Sequence, residues 1–231
     1  MAKTAYIIGS GFAASHLLKD FDQAIVKTQY GNVLLYRKRK SIILLRHGKN
    51  LSIPSHRINY KANICALNLD GVERIVGINS VGSLKEAIVQ GSLIIPDDYI
   101  DFLPQSFCDF ELKTIIPALD GQVRAWLISA AKKSGVSVRT SGIYVNMCGP
   151  RFETAAEISV IRKWGHVVGM TMAKEATLAQ ELGIPYACIC SVDNYAHGIG
   201  KHALSGDSLK KVYKKTQPKI EKILNLLMKD Q

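Results

Sequence analysis

Short apolar runs alternate with amphipathic stretches along most of the chain. Residues 5–8 are uniformly apolar and predict a short buried strand, closed by the turn-forming run Gly9-Ser10-Gly11-Phe12. Residues 33–36 and 42–45 flank the basic turn Arg37-Lys38-Arg39-Lys40 and predict a hairpin. Apolar residues recur at helical spacing over 58–69. Residues 74–78 predict another strand, ending in Asn79-Ser80-Val81-Gly82-Ser83, and 92–96 a further short one.

The second half continues the alternation. Residues 122–133 predict an amphipathic helix leading into an extended run at 136–138, then a strand within 141–147. A helix over 155–164 precedes the apolar pair Val167-Val168. A helix over 174–182 ends at Gly183, and 185–192 predict a buried strand. A long amphipathic helix over 207–228 closes the chain, with Pro218 expected to kink or interrupt it because proline removes a backbone donor and crowds the preceding turn. Strands alternating with helices predict an α/β fold with a mixed central β-sheet flanked by helices. No internal repeat or low-complexity linker divides the 231 residues, so one domain over 1–231 is expected.

Composition agrees with a large core: 47% of residues are hydrophobic. No apolar run reaches membrane-spanning length and no leader precedes the first strand, which predicts a cytoplasmic protein without a membrane partner. The five cysteines, Cys65, Cys108, Cys148, Cys188 and Cys190, match no zinc spacing and read as free thiols, so no metal is expected. In a strand, Cys188 and Cys190 share a face. The formal net charge of +11 admits nucleic acid or anionic small molecules. Its basic residues are dispersed or terminal, without interleaved aromatics, which disfavours a nucleic-acid partner.

Candidate chemistry gathers at strand ends. Gly149-Pro150-Arg151-Phe152-Glu153-Thr154 and Gly169-Met170-Thr171 are two strand-to-helix junctions carrying a carboxylate, a thioether and a hydroxyl. Glu153 reads equally as a ligand-facing group or as a first-turn helix carboxylate. Gly9-Ser10-Gly11 offers backbone donors and a hydroxyl to a phosphate, or is a plain tight turn. Arg46-His47 pairs a fixed cation with a ring nitrogen, and Arg forks match phosphate oxygens. Asn194 both donates and accepts, which suits the edge of a heterocycle; an Asx turn is the simpler use. No nucleophile-elbow sequence is present.

Taken together, the segments IIGSGF (7–12), RHG (46–48), INYKANICAL (58–67), INSVGSL (78–84), IYVNMCGPRFET (143–154), VVGMT (167–171) and YACIC (186–190) give a chain that resembles the trimeric purine nucleoside phosphorylases, in particular the branch acting on 5′-methylthio nucleosides. The resemblance implies phosphorolysis, with inorganic phosphate as cosubstrate, no other cofactor, and a homotrimer. It implies that Ser10, Arg46, His47, Ser80 and Thr171 hold phosphate. It places Met170 and Tyr144 by the ribose and Glu153 and Asn194 by the base, Asn194 being the catalytic donor. It also implies that residues around 107–117 help complete a neighbouring subunit's pocket.

Asp193-Asn194-Tyr195-Ala196 stands where methylthioadenosine enzymes of the family carry a Thr-Asp-x-Asp pattern, and Glu153 stands where those enzymes often have a small residue. The pairing of Glu153 with Asn194 resembles the 6-oxopurine enzymes. S-methyl-5′-thioinosine, or inosine and guanosine, is therefore the expected substrate. S-methyl-5′-thioadenosine is the alternative, and a non-catalytic nucleotide-binding protein is the competing class. His202 is a candidate partner for a 5′-hydroxyl.

Overall fold

The computed structural model describes residues 2–9, 16–108, 114–200 and 206–229. Among these described residues, ten strands form one mixed sheet: β1 (Thr4–Ile8), β2 (Asp22–Thr28), β3 (Gly31–Lys38), β4 (Ser41–Leu45), β5 (Arg74–Ser83), β6 (Leu93–Ile94), β7 (Asp98–Asp101), β8 (Ile143–Asn146), β9 (Val167–Gly169) and β10 (Tyr186–Tyr195). Five α-helices accompany them: α1 (Tyr60–Leu69), α2 (Gly121–Lys133), α3 (Ala155–Ile161), α4 (Met172–Glu181) and α5 (Gly206–Lys229).

The strands follow the order β2-β3-β4-β1-β5-β9-β8-β7, with β10 on β5 and β6 on β10. β5 is the pivot. One of its edges runs parallel to β10, from Ile75 opposite Tyr186 to Ser83 opposite Tyr195. Its other edge is shared: Arg74 to Ile78 pair with β1, and Gly82 and Ser83 pair antiparallel with β9. Among the described residues, no strand is paired on that edge at Asn79, Ser80 and Val81. The sheet therefore splits there, beside the C-terminal ends of β1, β5 and β10, the kind of opening where α/β sheets bind ligands.

The residue pattern explains the two covered faces. Cys188, Cys190 and Val192 pack with Met172, Ala176 and Ile64, on the side of α1 and α4. Ala187 and Ile189, one step out of phase, pack with Leu127 of α2 and with Ile220, Ile223 and Leu224 of α5. A third cluster joins Ile158 and Ile161 of α3 to Val145, Val168, Ala196 and Ile199. The Cys188 and Cys190 sulfurs lie 3.8 Å apart, as a shared strand face requires, and all five cysteines are free.

The hairpin is present, with β3 antiparallel to β4. β2 and β7 are additions. β2 is an edge strand whose Ile25 is exposed, so it lacks the buried run that would have announced it. α5 runs unbroken through Pro218, contrary to expectation. Proline costs one backbone hydrogen bond, while the buried stripe Ile220, Ile223, Leu224 and Leu227 holds the helix against the sheet on the far side of it. Helix α3 ends at Ile161, three residues before the expected Trp164. Among the described residues, no helix is long and apolar enough to cross a membrane.

Candidate functional site

Thr171 occupies the N-cap of α4 without capping it; its side chain makes no bond to the helix amides. Its hydroxyl instead accepts from Asn79 Nδ2 at 3.0 Å, tying α4 to the unpaired edge of β5. The orphan amides of the helix are taken up from below. The Tyr144 hydroxyl accepts from the Thr171 and Met172 amides at 3.3 and 3.5 Å, and Asn146 Oδ1 accepts from Ala173 at 3.4 Å. Tyr144 is fully buried among core residues, and its hydroxyl supports the loop that carries Met170 and Thr171. Gly169 makes this possible: a Cβ there would stand 2.1 Å from the Tyr144 oxygen.

Arg46 is likewise not an open cation. It is 2% exposed, and its Nε and Nη2 fork the carboxylate of Glu175 on α4, Nη2 to Oε2 at 2.9 Å. Its Nη1 donates to the Ile78 carbonyl at 2.9 Å. Tyr186 donates to the same Glu175 oxygen at 2.9 Å. Burial works against the guanidinium charge, but Glu175 more than offsets it and the pKa is raised. The guanidinium lies against Gly9 just past β1, where a Cβ would meet Arg46 Nη1 at 3.0 Å. A buried arginine at a strand end demands a carboxylate partner, the one signal in the sequence that could have pointed to Glu175.

His47, half-buried, faces the Ile53 carbonyl through Nδ1 at 2.8 Å. A carbonyl only accepts, so Nδ1 carries the proton and Nε2 is left as an acceptor when the ring is neutral. Burial lowers its pKa, which favours that neutral form. Ser80 is exposed on β5 and shares a hydrogen bond of 3.1 Å with Tyr213 of α5. Ser10 and His202 lie outside the described residues, as does part of the 107–117 segment.

On the other side of the opening, Met170 Sδ accepts from the Ser55 hydroxyl at 3.4 Å, and the Tyr60 hydroxyl donates to the Ser55 and Met170 carbonyls at 3.3 Å. Ser55, in a short turn ahead of α1, had no marker in the sequence; Tyr60 was marked only as part of the INYKANICAL segment. Asn194 is buried at the end of β10, just past a bulge between Val192 and Asn194; its Nδ2 donates to the Tyr195 carbonyl at 2.9 Å and lies against Gly82.

Glu153 stands outside helix α3, whose N-cap is Thr154. It is buried and lines a cavity of about 210 Å³ together with Asp101, Asn146, Cys148 and Arg151. Burial raises its pKa. Met170, Thr171 and Asn194 are not among the lining residues, so this cavity covers the Glu153 side alone. No group of three or more His, Cys, Asp or Glu poised to hold a metal occurs among the described residues.

Comparison with known proteins places this geometry. The Phosphorylase superfamily model matches residues 3–229. The chain is 40% identical to a probable S-methyl-5′-thioinosine phosphorylase of Methanocaldococcus jannaschii, over 94% of this chain and 89% of that protein. It is 38% identical to the 6-oxopurine nucleoside phosphorylase of Pyrococcus furiosus, over 97% of this chain and 91% of that one. Among solved structures it resembles the methylthioadenosine phosphorylase of Schistosoma mansoni in complex with adenine, at a TM-score of 0.89 and 25% identity, covering 100% of this chain and 93% of that one.

Proposed function

The chain belongs to the phosphorylase superfamily, and from that premise we propose that it is a purine nucleoside phosphorylase selective for 6-oxopurines, with S-methyl-5′-thioinosine as the favoured substrate. Phosphate attacks the anomeric carbon as the glycosidic C–N bond breaks; the electron pair of that bond leaves with the purine, and the sugar becomes the 1-phosphate. The transition state carries positive charge on the sugar and negative charge on the base. Phosphate itself stabilises the first. A neutral donor at the imidazole edge of the purine stabilises the second, and Asn194 is assigned that role. No covalent enzyme intermediate is required; positioning contributes much of the effect.

The phosphate side is assigned to Thr171, Ser80, Ser10 and His47, with Arg46 acting from behind Gly9. Met170 is assigned to the ribose. Thr171 suits its part because its hydroxyl is not spent on capping α4. The observation that carries the base preference is Glu153: a buried carboxyl beside a cavity, released from helix capping, on a chain that has Asn194 and Ala196 where an acidic pair would read a 6-amino group. Ionised, Glu153 accepts the ring N–H that a 6-oxopurine has and adenine lacks.

The same reading includes a homotrimer in the cytoplasm. Phe102 and Trp164 pack edge to face, 6.0 Å apart and both largely exposed, and Leu103 and Ile116 are exposed as well. Such surface suits a subunit contact. The relatives are divided in the substrate they are named for, since a Pyrococcus abyssi protein 37% identical over 78% of this chain is named for S-methyl-5′-thioadenosine. Phosphate-dependent base release from methylthioinosine, methylthioadenosine and inosine decides. The 6-oxo nucleosides should be cleaved with the higher kcat/KM; faster cleavage of methylthioadenosine than of both would overturn the base assignment.

A further inference from the structure

Asp193 is a buried carboxyl that the reaction as described does not use. It is 0% exposed, and neither carboxylate oxygen has a hydrogen-bond partner. It sits on the β10 bulge, the residue left without a partner between Val192 opposite Val81 and Asn194 opposite Gly82. Bulges re-aim side chains and favour the rims of sites. An uncompensated buried carboxylate is costly, so a fold that keeps one at a site calls for an explanation.

Its surroundings supply one. Ser191, opposite Ser80 in the β5–β10 register, shares the α5 face of the sheet with Ser80. The register sets Asp193 beside this serine pair: it follows Ser191 by two residues and falls between the partners of Val81 and Gly82, the two residues after Ser80, while its oxygens make no hydrogen bond. Ser80 is occupied elsewhere, with the Tyr213 hydroxyl at 3.1 Å. The other packed groups leave the carboxyl uncompensated. From β10, the Cys190 thiol is kept neutral because burial raises its pKa. From the preceding loop, Gln90 donates to the Asp193 backbone carbonyl. From α5, the Lys219 ammonium is held on the Gly91 carbonyl at 3.0 Å.

We propose that Asp193 is a positioning residue for the anionic cosubstrate: when an anion binds, the carboxyl as the neutral acid turns to donate to the Ser80 oxygen, so that the Ser80 hydroxyl, which otherwise shares a hydrogen bond with Tyr213, directs its proton to a tetrahedral oxyanion at the end of β5. This rests on the assignment of Ser80 to the phosphate side. Ionised, the same carboxyl can only accept, so it draws the Ser80 proton toward itself and away from the anion, and adds a like charge nearby. Anion binding and protonation of Asp193 are then linked, each favouring the other. Burial, against the milder pull of Ser80 and Ser191, pushes this carboxyl up to about 7, so the switch falls in the neutral range.

The probe is sulfate, a tetrahedral dianion that does not itself titrate between pH 6 and 8, measured by calorimetry on the full chain. With a donor form that is about one tenth populated at pH 8, wild-type affinity should fall about tenfold from pH 6 to pH 8. Asp193→Asn keeps a donor at every pH, so its affinity should lack the tenfold fall that Asp193 adds to the wild-type profile. His47 is unchanged in that variant, so its own titration cancels in the comparison. Ser80→Ala, at an exposed position, is the second variant should Asp193→Asn fail to fold. It should bind at pH 6 about as weakly as wild type does at pH 8, with little further change. Parallel pH profiles for wild type and either folded variant would overturn the role of Asp193. Absence of sulfate binding and of phosphate-dependent base release from wild type would instead overturn the phosphorylase site on which it rests.

Discussion

Thr154 and Glu157 close a reciprocal capping box at the start of α3: the Thr154 amide donates to the Glu157 carboxylate at 2.7 Å, and the Glu157 amide donates to the Thr154 hydroxyl at 3.1 Å. Arg151 forks the same carboxylate, both contacts at 2.8 Å, and Glu157 is held down at about 2 by these bonds. Capping is therefore complete without Glu153, which is free to face the cavity.

Base recognition by Glu153 and helix capping by Thr154 should separate cleanly on mutation. Glu153→Gln is expected to lower kcat/KM for methylthioinosine by about 10²-fold while leaving the melting temperature near wild type. Thr154→Ala should cost about 1 kcal/mol of stability with substrate preference unchanged. Steady-state kinetics on paired 6-oxo and 6-amino substrates, with thermal melts, distinguishes them. Equal losses on both substrates for Glu153→Gln would remove it from base recognition.

Tyr144→Phe deletes only the hydroxyl that accepts the Thr171 and Met172 amides. Two buried donors lose their partner, at a cost of about 1–3 kcal/mol. The damage falls on the loop that presents Thr171, so phosphate KM should rise more than nucleoside KM. A lowered melting temperature with both KM values unchanged would mean that Tyr144 serves the core alone.

The Arg46–Glu175 pair is buried at both partners. Removing one charge leaves the other uncompensated, so Glu175→Ala should destabilise by about 3–5 kcal/mol, read as a lower denaturant midpoint. Arg46→Lys keeps the charge but loses the fork, and should also weaken phosphate binding through Gly9, against which the guanidinium packs. A full-strength phosphate KM in a folded Arg46→Lys protein would show that the pair supports the fold only.

Asp193 also makes a stability prediction that does not depend on any ligand. Its folded pKa, about 7, lies above the ordinary carboxylate value of 3.8. The native state therefore holds this proton more tightly, and its contribution to stability is lost as pH rises from 3.8 to 7 and stays lost above. Asp193→Asn should accordingly be the more stable protein at pH 8, by on the order of a few kcal/mol, with the advantage shrinking toward pH 4. Thermal melts across that range test it; an advantage independent of pH would assign the effect to packing.

The alternation of apolar runs and amphipathic stretches was enough to mark β1, the β3–β4 hairpin, α1, α2, α4 and β10, because burial on a sheet or helix face imposes periods of two and 3.6 on the residues themselves. It missed β2, whose edge position leaves Ile25 in solvent, and it read Pro218 as a break. Strand-end chemistry was legible too: Glu153, Met170, Thr171 and Asn194 stand at junctions that composition and local turn signals reveal. Which partner each side chain takes was not. Arg46 finds Glu175 across 129 positions of sequence, Tyr144 turns its hydroxyl under α4, and Glu157 takes the capping role that left Glu153 ambiguous. Local sequence determined where helices begin and which residue types reach the strand ends. Only the folded sheet, split along β5, decided which of those groups are spent on one another and which remain for a ligand, because buried polar groups must be paired by whatever the fold brings within reach.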